Sequence, residues 1–216
     1  MTKRGHFIVV EGLEGAGKST ALNTIKRFLA EQSIAMISTR EPGGTRVGEA
    51  ARSLIKEIVE DQPLDPRAEL LLFYAARVQL MQQIVYPALE KGCWVLADRF
   101  ELSTFAYQGG GRKLDQNMIS QLSSFCLNDF KPDLIIYLDI TPQKGLQRAR
   151  KRGKLDRIEK ESQVFFNDVY NSYHALIKTM DNVAIIDASK PLAAVQSSIR
   201  GTLENYLVNH AISPVN

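Results

Sequence analysis

The sequence predicts an α/β fold in which a parallel sheet is covered by helices on both faces. Short apolar runs of strand length alternate with segments of helix length, and a glycine-rich loop separates the first strand from the first helix. This alternation implies right-handed crossovers and ligand binding beyond the carboxyl ends of the strands. The residues that directly follow each strand are therefore the first candidates for function.

The first element is a strand at residues 6–10, followed by a glycine loop and a helix at residues 19–32. The loop, GLEGAGKS at residues 12–19, satisfies the pattern G-x-x-x-x-G-K-[ST] in full. Backbone N–H groups of such a loop surround phosphate oxygens, Lys18 reaches the β- and γ-phosphates, and the Ser19 hydroxyl ligates magnesium. The loop predicts a nucleoside triphosphate site but not the reaction, because GTPases, motors, transporters and kinases share it.

The second strand is expected at residues 34–39, and a charged, glycine-rich turn connects it to a helix near residues 47–59. The turn contains Arg40, with Pro42 stiffening the chain beside it. Arg40 is a candidate phosphate ligand because a guanidinium binds phosphate with two parallel hydrogen bonds. The alternative is that the turn only connects the strand to the helix.

The third strand, at residues 93–97, leads directly into Asp98 and Arg99. Asp98 follows a strand near the glycine loop and is placed like a carboxylate that holds magnesium, directly or through water. A helix cap or an ion pair with Arg99 is the alternative. The guanidinium of Arg99 points toward the same crevice and suits phosphate recognition.

Asp65 and Pro66 form a capping pair that begins the longest predicted helix, which runs to about Tyr86. Phe73 and Arg77 are four residues apart on it and share a face. An aromatic ring beside a forked donor can bind a nucleobase by stacking and hydrogen bonding. The spacing alone leaves this reading open against ordinary core packing of Phe73.

The remaining elements complete the alternation of helices and strands. Glycine-rich residues 108–112 are expected to form a flexible loop, and Asp115 caps a helix that continues to Leu127. A fourth strand at residues 134–139 leads into a helix at residues 141–150, and a fifth strand lies at residues 183–187.

Basic residues crowd between positions 144 and 157, where Asp156 is the one acid. This basic cluster has three possible explanations: a solvated face, a nucleic-acid patch, or a lid that closes over a triphosphate. Gly153 between two basic residues favours a mobile loop. A basic lid would neutralise charge around the γ-phosphate and exclude water.

The composition indicates one globular domain, and it excludes several classes of protein. The 216 residues have 27 basic against 24 acidic side chains, so the net charge of +3 is too small to argue for nucleic acid. Cys93 and Cys126 read as reduced packing residues, and the histidines show no zinc spacing. The apolar run after the basic start is too short for a signal sequence or a membrane span, so a cytoplasmic protein without membrane or nucleic-acid partners is expected.

Taken together, these residues resemble the bacterial thymidylate kinases along nearly the whole chain. The matching blocks are EGLEGAGKST at 11–20, TREPGGT at 39–45, FYAAR at 73–77, DR at 98–99, STFAYQG at 103–109 and LDRIE at 155–159. The resemblance implies a P-loop nucleoside monophosphate kinase domain over residues 1–216, with a five-stranded parallel sheet and a mobile lid at about residues 148–160. It also implies a homodimer and transfer of the γ-phosphate of ATP to dTMP, giving dTDP and ADP, with Mg²⁺ as cofactor.

The same resemblance implies a role for each matching residue. Phe73 would stack on thymine, Arg77 would bind a thymine carbonyl, Thr104 and Gln108 would address the base edge, and Tyr107 would crowd the position of a ribose 2′-hydroxyl. Arg40 and Arg99 would bind the dTMP phosphate. Glu14 would accept a hydrogen bond from the 3′-hydroxyl and help Ser19 and Asp98 to place magnesium. ATP would lie against Gly12, Leu13, Glu14, Gly15, Ala16, Gly17, Lys18, Ser19 and Thr20.

Two positions vary within the family and shift the expected chemistry. Gly15 stands where some members have an arginine that touches the transferring phosphate, so the positive charge must come from the lid. Arg148, Arg152 and Arg157 are the candidates, with Arg152 preferred, and Lys18, Arg99 and Arg152 form the expected catalytic set. Phe100 stands where members often have tyrosine or histidine.

The alternative functions are another monophosphate or deoxynucleoside kinase, a nucleic-acid-binding ATPase and a non-catalytic nucleotide sensor.

Overall fold

A computed structural model describes residues 4–151, 153, 155–210 and 212. In this part of the chain, a sheet of five parallel strands is flanked by helices, as the sequence predicts. The order across the sheet is β2-β3-β1-β4-β5. The strands are β1 (Phe7–Gly12), β2 (Met36–Arg40), β3 (Trp94–Asp98), β4 (Leu134–Asp139) and β5 (Val183–Asp187).

The strand order places a crevice beside β1. The chain forms β2 and β3 on one side of β1 and then β4 and β5 on the other, so the connections that leave neighbouring strands diverge. The register aligns Asp98 at the end of β3 with Val10 on one side and with Arg40 on the other. Residues that follow three adjacent strands therefore meet at one edge of the sheet.

Central and edge strands differ in burial, as their sequences require. The strand β1 is an almost unbroken apolar run and is buried along its whole length, whereas β2 and β5 at the edges are partly exposed. Helix α1 packs on β1 and on the C-terminal helix, and Ile25 and Phe28 are buried in this contact. These contacts fix the glycine loop between a rigid strand and a rigid helix.

Four helices in the described residues begin at residues whose side chains cap the first turn. The side chains of Thr45, Asp65, Asp115 and Ser162 each accept a hydrogen bond from a backbone N–H of the first turn, as predicted for Asp65 and Asp115. The helices are α1 (Lys18–Glu31), α2 (Arg46–Lys56), α3 (Pro66–Leu80), α4 (Tyr86–Glu90), α5 (Glu101–Thr104), α6 (Gln116–Leu127), α7 (Pro142–Arg150), α8 (Gln163–Ile177) and α9 (Leu192–Asn209).

The helix that begins at Pro66 is longer than predicted. It does not end near Tyr86, because the π-helical segment Met81–Val85 joins α3 to α4, which continues to Glu90. Pro87 lies in the first turn of α4, where the regular hydrogen-bond ladder is already interrupted and the ring is tolerated. At the other predicted boundaries, β2 begins at Met36 and α2 ends at Lys56, within a few residues of expectation.

The prediction of a flexible loop at residues 108–112 is wrong. Phe105–Gly111 is a π-helical segment that continues α5 and packs against α8. A Cβ atom on Gly110 would lie 2.4 Å from Cβ of Ser172, and one on Gly111 would lie 2.4 Å from a ring carbon of Phe165. The glycines therefore serve close packing between two helical segments, which composition alone cannot distinguish from a loop.

Candidate active site

A cavity of about 530 Å³ opens at the carboxyl ends of β1, β2 and β3, a volume suited to a small-molecule ligand. It brings together most of the residues that the sequence singles out. Its lining includes Glu14, Gly15, Gly17, Lys18, Ser19, Thr20, Arg40, Phe73, Arg77, Asp98, Arg99, Thr104, Tyr107 and Gln108. Gly12, Leu13 and Ala16 lie buried in the glycine loop itself, while Arg152 lies outside the described residues.

The glycine loop wraps around the amino end of α1. Gly15 and Gly17 both adopt positive φ angles, which side chains rarely allow. The Lys18 ammonium donates hydrogen bonds to the carbonyl oxygens of Gly12 at 3.1 Å and Leu13 at 2.9 Å. Burial, followed by the charge of Arg99, lowers the pKa of Lys18 to about 8.

Gly15 has a packing role in addition to its position in the loop. A Cβ atom here would lie 2.0 Å from the Gly145 carbonyl oxygen and 3.1 Å from Cβ of Arg148, both on α7. The close approach of α7 to the loop therefore leaves no room for a side chain at position 15. Position 15 therefore cannot carry a charged side chain in this arrangement, and the lid as the source of positive charge stays a prediction.

Glu14 connects the glycine loop to the turn after β3. One carboxylate oxygen accepts a hydrogen bond from Arg99 Nη2 at 2.7 Å, and the other accepts one from the Tyr107 hydroxyl at 2.5 Å. The Arg99 guanidinium also lies 5.0 Å from the centroid of the Tyr107 ring. Arg99 and Tyr107, two of the residues expected to contact the acceptor, thus form one hydrogen-bonded group with the donor loop.

Glu11 supports this group and was not identified from the sequence. Its carboxylate is completely buried and accepts hydrogen bonds from the Phe100 N–H at 2.9 Å, the Ser103 hydroxyl at 2.6 Å and the Tyr173 hydroxyl at 2.9 Å. Arg99 between these contacts has a left-handed φ of 69°. A carboxylate at the end of an otherwise apolar strand was the signal available in the sequence.

Phe73 and Arg77 line the same wall of the cavity. Phe73 is partly buried and is absent from the hydrophobic core, so simple core packing does not describe it. Arg77 is 1% exposed and donates from Nε to Glu41 at 2.8 Å and from Nη2 to the Thr104 hydroxyl at 2.9 Å. Its Nη1 is buried without a hydrogen-bond partner in the described residues, which leaves one donor for a ligand.

Glu41 is the buried counter-ion of Arg77 and was also missed as a functional residue. Burial raises its pKa to about 7, against the opposing effect of Arg77. Phe100 packs beside this pair in the core, with its ring centroid 5.3 Å from the Arg77 guanidinium. Phe100 is therefore part of the core packing around this ion pair.

Arg40 is partly exposed at the outer end of the cavity. Its Nη2 donates to both carboxylate oxygens of Glu49 at 2.9 Å, so it is held in place at the edge of β2. Arg52, which sequence reasoning did not identify, lines the same region and donates to the Pro42 carbonyl oxygen at 2.9 Å. Two guanidinium groups thus border one end of the cavity.

The oxygen atoms at the glycine loop suit a hard divalent cation. Oδ1 of Asp98 is buried with no hydrogen-bond partner in the described residues, and Ser19 lines the same cavity. In the described part of the chain, no group of three or more His, Cys, Asp or Glu residues could bind a metal alone. Ser19 and Asp98 fit Mg²⁺ that takes its other ligands from phosphate and water.

The arginines predicted for the lid have different surroundings. Arg148 lines the cavity and donates to the Ala188 carbonyl oxygen at 3.0 Å. Arg157 is paired with Glu69 and donates to the Ile55 carbonyl oxygen at 2.7 Å. Arg157 is therefore held by residues outside the glycine loop. Of the two lid candidates that the structure describes, Arg148 is the one that lines the cavity and lies beside the glycine loop.

A parallel sheet with a phosphate-binding loop, facing an aromatic and arginine-lined pocket in the same cavity, defines a P-loop kinase for a small nucleotide acceptor. The chain belongs to the thymidylate kinase family, whose family model matches residues 10–199. It is 56% identical over 203 residues to the thymidylate kinase of Legionella pneumophila strain Corby, covering 94% of this chain and 96% of the relative. The thymidylate kinase of strain Paris is 55% identical with the same coverage. The family activity is ATP-dependent phosphorylation of dTMP to dTDP.

The structure also bears on membrane association. Among residues 4–151, 153, 155–210 and 212, no helix combines the length and apolar character needed to cross a membrane.

Proposed function

We propose that this chain transfers the γ-phosphate of Mg²⁺-bound ATP to dTMP within the single cavity at the carboxyl end of its sheet. The proposal is supported by Nη1 of Arg77, which is buried without a hydrogen-bond partner in the described residues and belongs to a side chain that lines the same cavity as Phe73 and Lys18. A buried donor without a partner costs free energy unless a ligand accepts from it. A pyrimidine stacked on Phe73 with a carbonyl oxygen toward Arg77 meets this requirement.

The donor triphosphate would bind along residues 12–20. The backbone N–H groups of the loop and the Lys18 ammonium would bind its phosphate oxygens, and the amino end of α1 adds a favourable field. Ser19 and Asp98 would hold Mg²⁺, with Glu14 close by. The cation neutralises charge on the β- and γ-phosphates when it is bound.

The acceptor would bind between α3 and the π-helical segment. Thr104, Tyr107 and Gln108 line the cavity. Thr104 and Gln108 would address the base edge, and Tyr107 would crowd the position where a ribonucleotide has its 2′-hydroxyl. Glu14 would accept a hydrogen bond from the 3′-hydroxyl in place of one of its present donors. Arg40 and Arg99 would bind the acceptor phosphate from two sides.

The transfer itself needs positioning and charge neutralisation more than proton abstraction. A phosphate oxygen of dTMP is already nucleophilic at neutral pH, so no general base is assigned. Lys18, Arg99 and a lid arginine would stabilise the charge that shifts toward the transferring group. We propose Arg152 for that lid position, within a mobile lid at about residues 148–160 of a single domain.

A homodimer is proposed because two packed helices expose apolar side chains. Leu71 on α3 is 58% exposed, and Met118 and Phe125 on α6 are 63% and 83% exposed. Apolar side chains clustered on adjacent helices are typical of an interface. Light scattering should give a dimer for the wild type and a smaller species for Phe125→Asp, while Val208→Asp on α9 should leave the dimer intact.

A cytoplasmic location without nucleic-acid partners stays a prediction.

The acceptor assignment is tested by replacing Arg77. Arg77→Met should raise the KM for dTMP by roughly tenfold or more and leave the KM for ATP within about twofold, because a charge-assisted hydrogen bond to the base is lost. Arg67→Met is the matched control, since it removes the same charge from an exposed position on α3. An unchanged KM for dTMP in Arg77→Met would contradict the proposed base site.

A further inference from the structure

Glu69 is a buried acid to which the proposed reaction assigns no role. It lies on α3, one turn before Phe73 and two turns before Arg77, and is 1% exposed. Its Oε1 accepts a hydrogen bond from the Gln108 amide nitrogen at 2.6 Å, and its Oε2 pairs with Arg157. A buried acid on the face of α3 that carries the base site contacts a residue of the cavity wall directly.

Two arginines surround Glu69 and keep it ionised. Arg112 donates to both oxygens of the Glu69 carboxylate at 3.3 Å, and the guanidinium of Arg112 is itself paired with Glu161 at 2.5 Å. Burial alone would raise the pKa of Glu69, but Arg112 and Arg157 outweigh burial and the pKa lies below its ordinary value. An ionised carboxylate can only accept hydrogen bonds.

This constraint determines which end of the Gln108 amide remains for a ligand. Because Glu69 can only accept, Gln108 must turn its NH₂ group toward it, as the 2.6 Å contact shows. Gln108 lines the cavity, so its carbonyl oxygen is the polar group left for the acceptor base. Nη1 of Arg77, which has no hydrogen-bond partner among the described residues, is a donor. Gln108 and Arg77 together therefore offer one acceptor and one donor.

Keto pyrimidines and cytosine present different hydrogen-bonding groups to Gln108 and Arg77. Thymine and uracil present an N3–H donor beside the O4 acceptor, which complements a Gln108 oxygen and an Arg77 N–H. Cytosine presents the N3 acceptor beside an NH₂ donor, so both contacts would be repulsive. A Gln108 amide turned the other way would lose this discrimination, because its NH₂ group would then face the base.

We propose that Glu69 is a positioning residue that fixes the Gln108 amide with its oxygen toward the acceptor base, so that the site accepts keto pyrimidines and rejects cytosine. The inference rests on the proposed function, in which Gln108 and Arg77 face the base. Glu69 acts through Gln108 and does not itself touch the substrate.

The test compares wild type, Glu69→Gln and Glu161→Gln with dTMP, dUMP and dCMP, and measures dCMP both as a substrate and as a competitive inhibitor of dTMP phosphorylation. In Glu69→Gln the new amide can donate as well as accept, so the Gln108 amide can rotate and present its NH₂ group to the base. The preference for dTMP over dCMP should fall roughly tenfold or more. The ratio of dTMP to dUMP should stay unchanged, because these bases share the same edge.

Glu161→Gln is the matched control. It removes the same formal charge from the group around Arg112, and no hydrogen bond joins Glu161 to Gln108 in the described part of the chain. Both ratios should stay at wild-type values in this variant. If Glu69→Gln lowers activity with dTMP and dCMP equally, or if Glu161→Gln reproduces its effect on the ratio, the proposal is overturned.

Two further variants keep the test decisive. If Glu69→Gln does not fold, Glu69→Asp keeps the charge while withdrawing the carboxylate from Gln108, and the preference for dTMP over dCMP should again fall. In a Gln108→Leu background, Glu69→Gln should have no further effect on this preference. Failure of the proposed function would appear as a wild type that does not phosphorylate dTMP. Failure of the inference alone would appear as an active wild type with unchanged preference in both Glu69 variants.

Discussion

Replacing Gly110 by alanine should loosen the contact between the π-helical segment and α8. The added Cβ would lie 2.4 Å from Cβ and 2.8 Å from Oγ of Ser172, and 3.2 Å from the Asp168 carbonyl oxygen. Ordinary contacts at a Cβ begin near 3.4 Å, so the two segments must separate by about 1 Å. Cβ of Ser172 is fixed to the helix backbone, so a change of rotamer cannot relieve the clash.

The expected loss of stability follows from two opposing effects. Overpacking of this kind costs about 1–3 kcal/mol. Alanine in place of glycine in a helical segment stabilises the folded state by about 1 kcal/mol, because the chain loses less backbone entropy on folding. Gly201→Ala in α9 isolates the second effect, because nothing lies within 4 Å of the added Cβ. The two variants should therefore differ by about 1–3 kcal/mol in the free energy of unfolding.

The same displacement should reach the acceptor site. Tyr107 and Gln108 precede Gly110 in the π-helical segment, and Tyr173 follows Ser172 on α8 and hydrogen bonds to Glu11. Separation of these segments should raise the KM for dTMP several-fold with a smaller effect on the KM for ATP.

The assay is urea denaturation of wild type, Gly110→Ala and Gly201→Ala, with steady-state kinetics on each. Ser172→Gly in the Gly110→Ala background removes the closest contact and should recover part of the lost stability. A Gly110→Ala protein as stable as Gly201→Ala would refute the packing argument. A destabilised Gly110→Ala protein with an unchanged KM for dTMP would refute its extension to the site.

Three further predictions concern the donor side. The pKa of Lys18 is about 8 and should rise when triphosphate binds, so ATP binding should take up protons near pH 8 and should weaken as the pH rises through 8. Calorimetry in buffers of different ionisation enthalpy would measure this proton uptake. ATP binding without proton uptake would contradict the prediction. Asp98→Asn should lower kcat roughly 100-fold and raise the Mg²⁺ concentration needed for half-maximal activity, and an unchanged Mg²⁺ titration would exclude a role in magnesium binding. Arg152→Ala should lower turnover much more than dTMP binding, whereas unchanged turnover with a raised KM for dTMP would contradict the lid assignment.

Local sequence patterns predict much of this fold. Strands β1, β3, β4 and β5 are short, mostly apolar runs. Asp65 and Asp115 begin helices because their carboxylates cap the first turn. These signals act over a few residues, so they can be read without knowledge of the tertiary structure. The glycines at positions 109–111 show the limit, because the same composition suits a mobile loop and a tightly packed helical segment.

Several residues that line the cavity could be predicted from the sequence, but the buried carboxylates that contact them could not. Phe73, Arg77 and Arg99 follow from motifs, whereas Glu41 and Glu69 acquire meaning only from contacts with residues 36 and 39 positions away. Glu11 supports a turn 89 residues further along the chain. Sequence patterns register periodicity and spacing, but they do not specify which buried carboxylate meets which arginine or amide.

We propose that one cavity binds ATP at the glycine loop and dTMP at the wall that contains Phe73 and Arg77. The most direct measurement is ADP release in a coupled assay with ATP and Mg²⁺, run with dTMP, dUMP, dCMP, dGMP and thymidine in parallel. We expect the highest kcat/KM with dTMP, a lower value with dUMP, and no significant ADP release with thymidine. A preference for thymidine, or for dCMP or dGMP over dTMP, would contradict it.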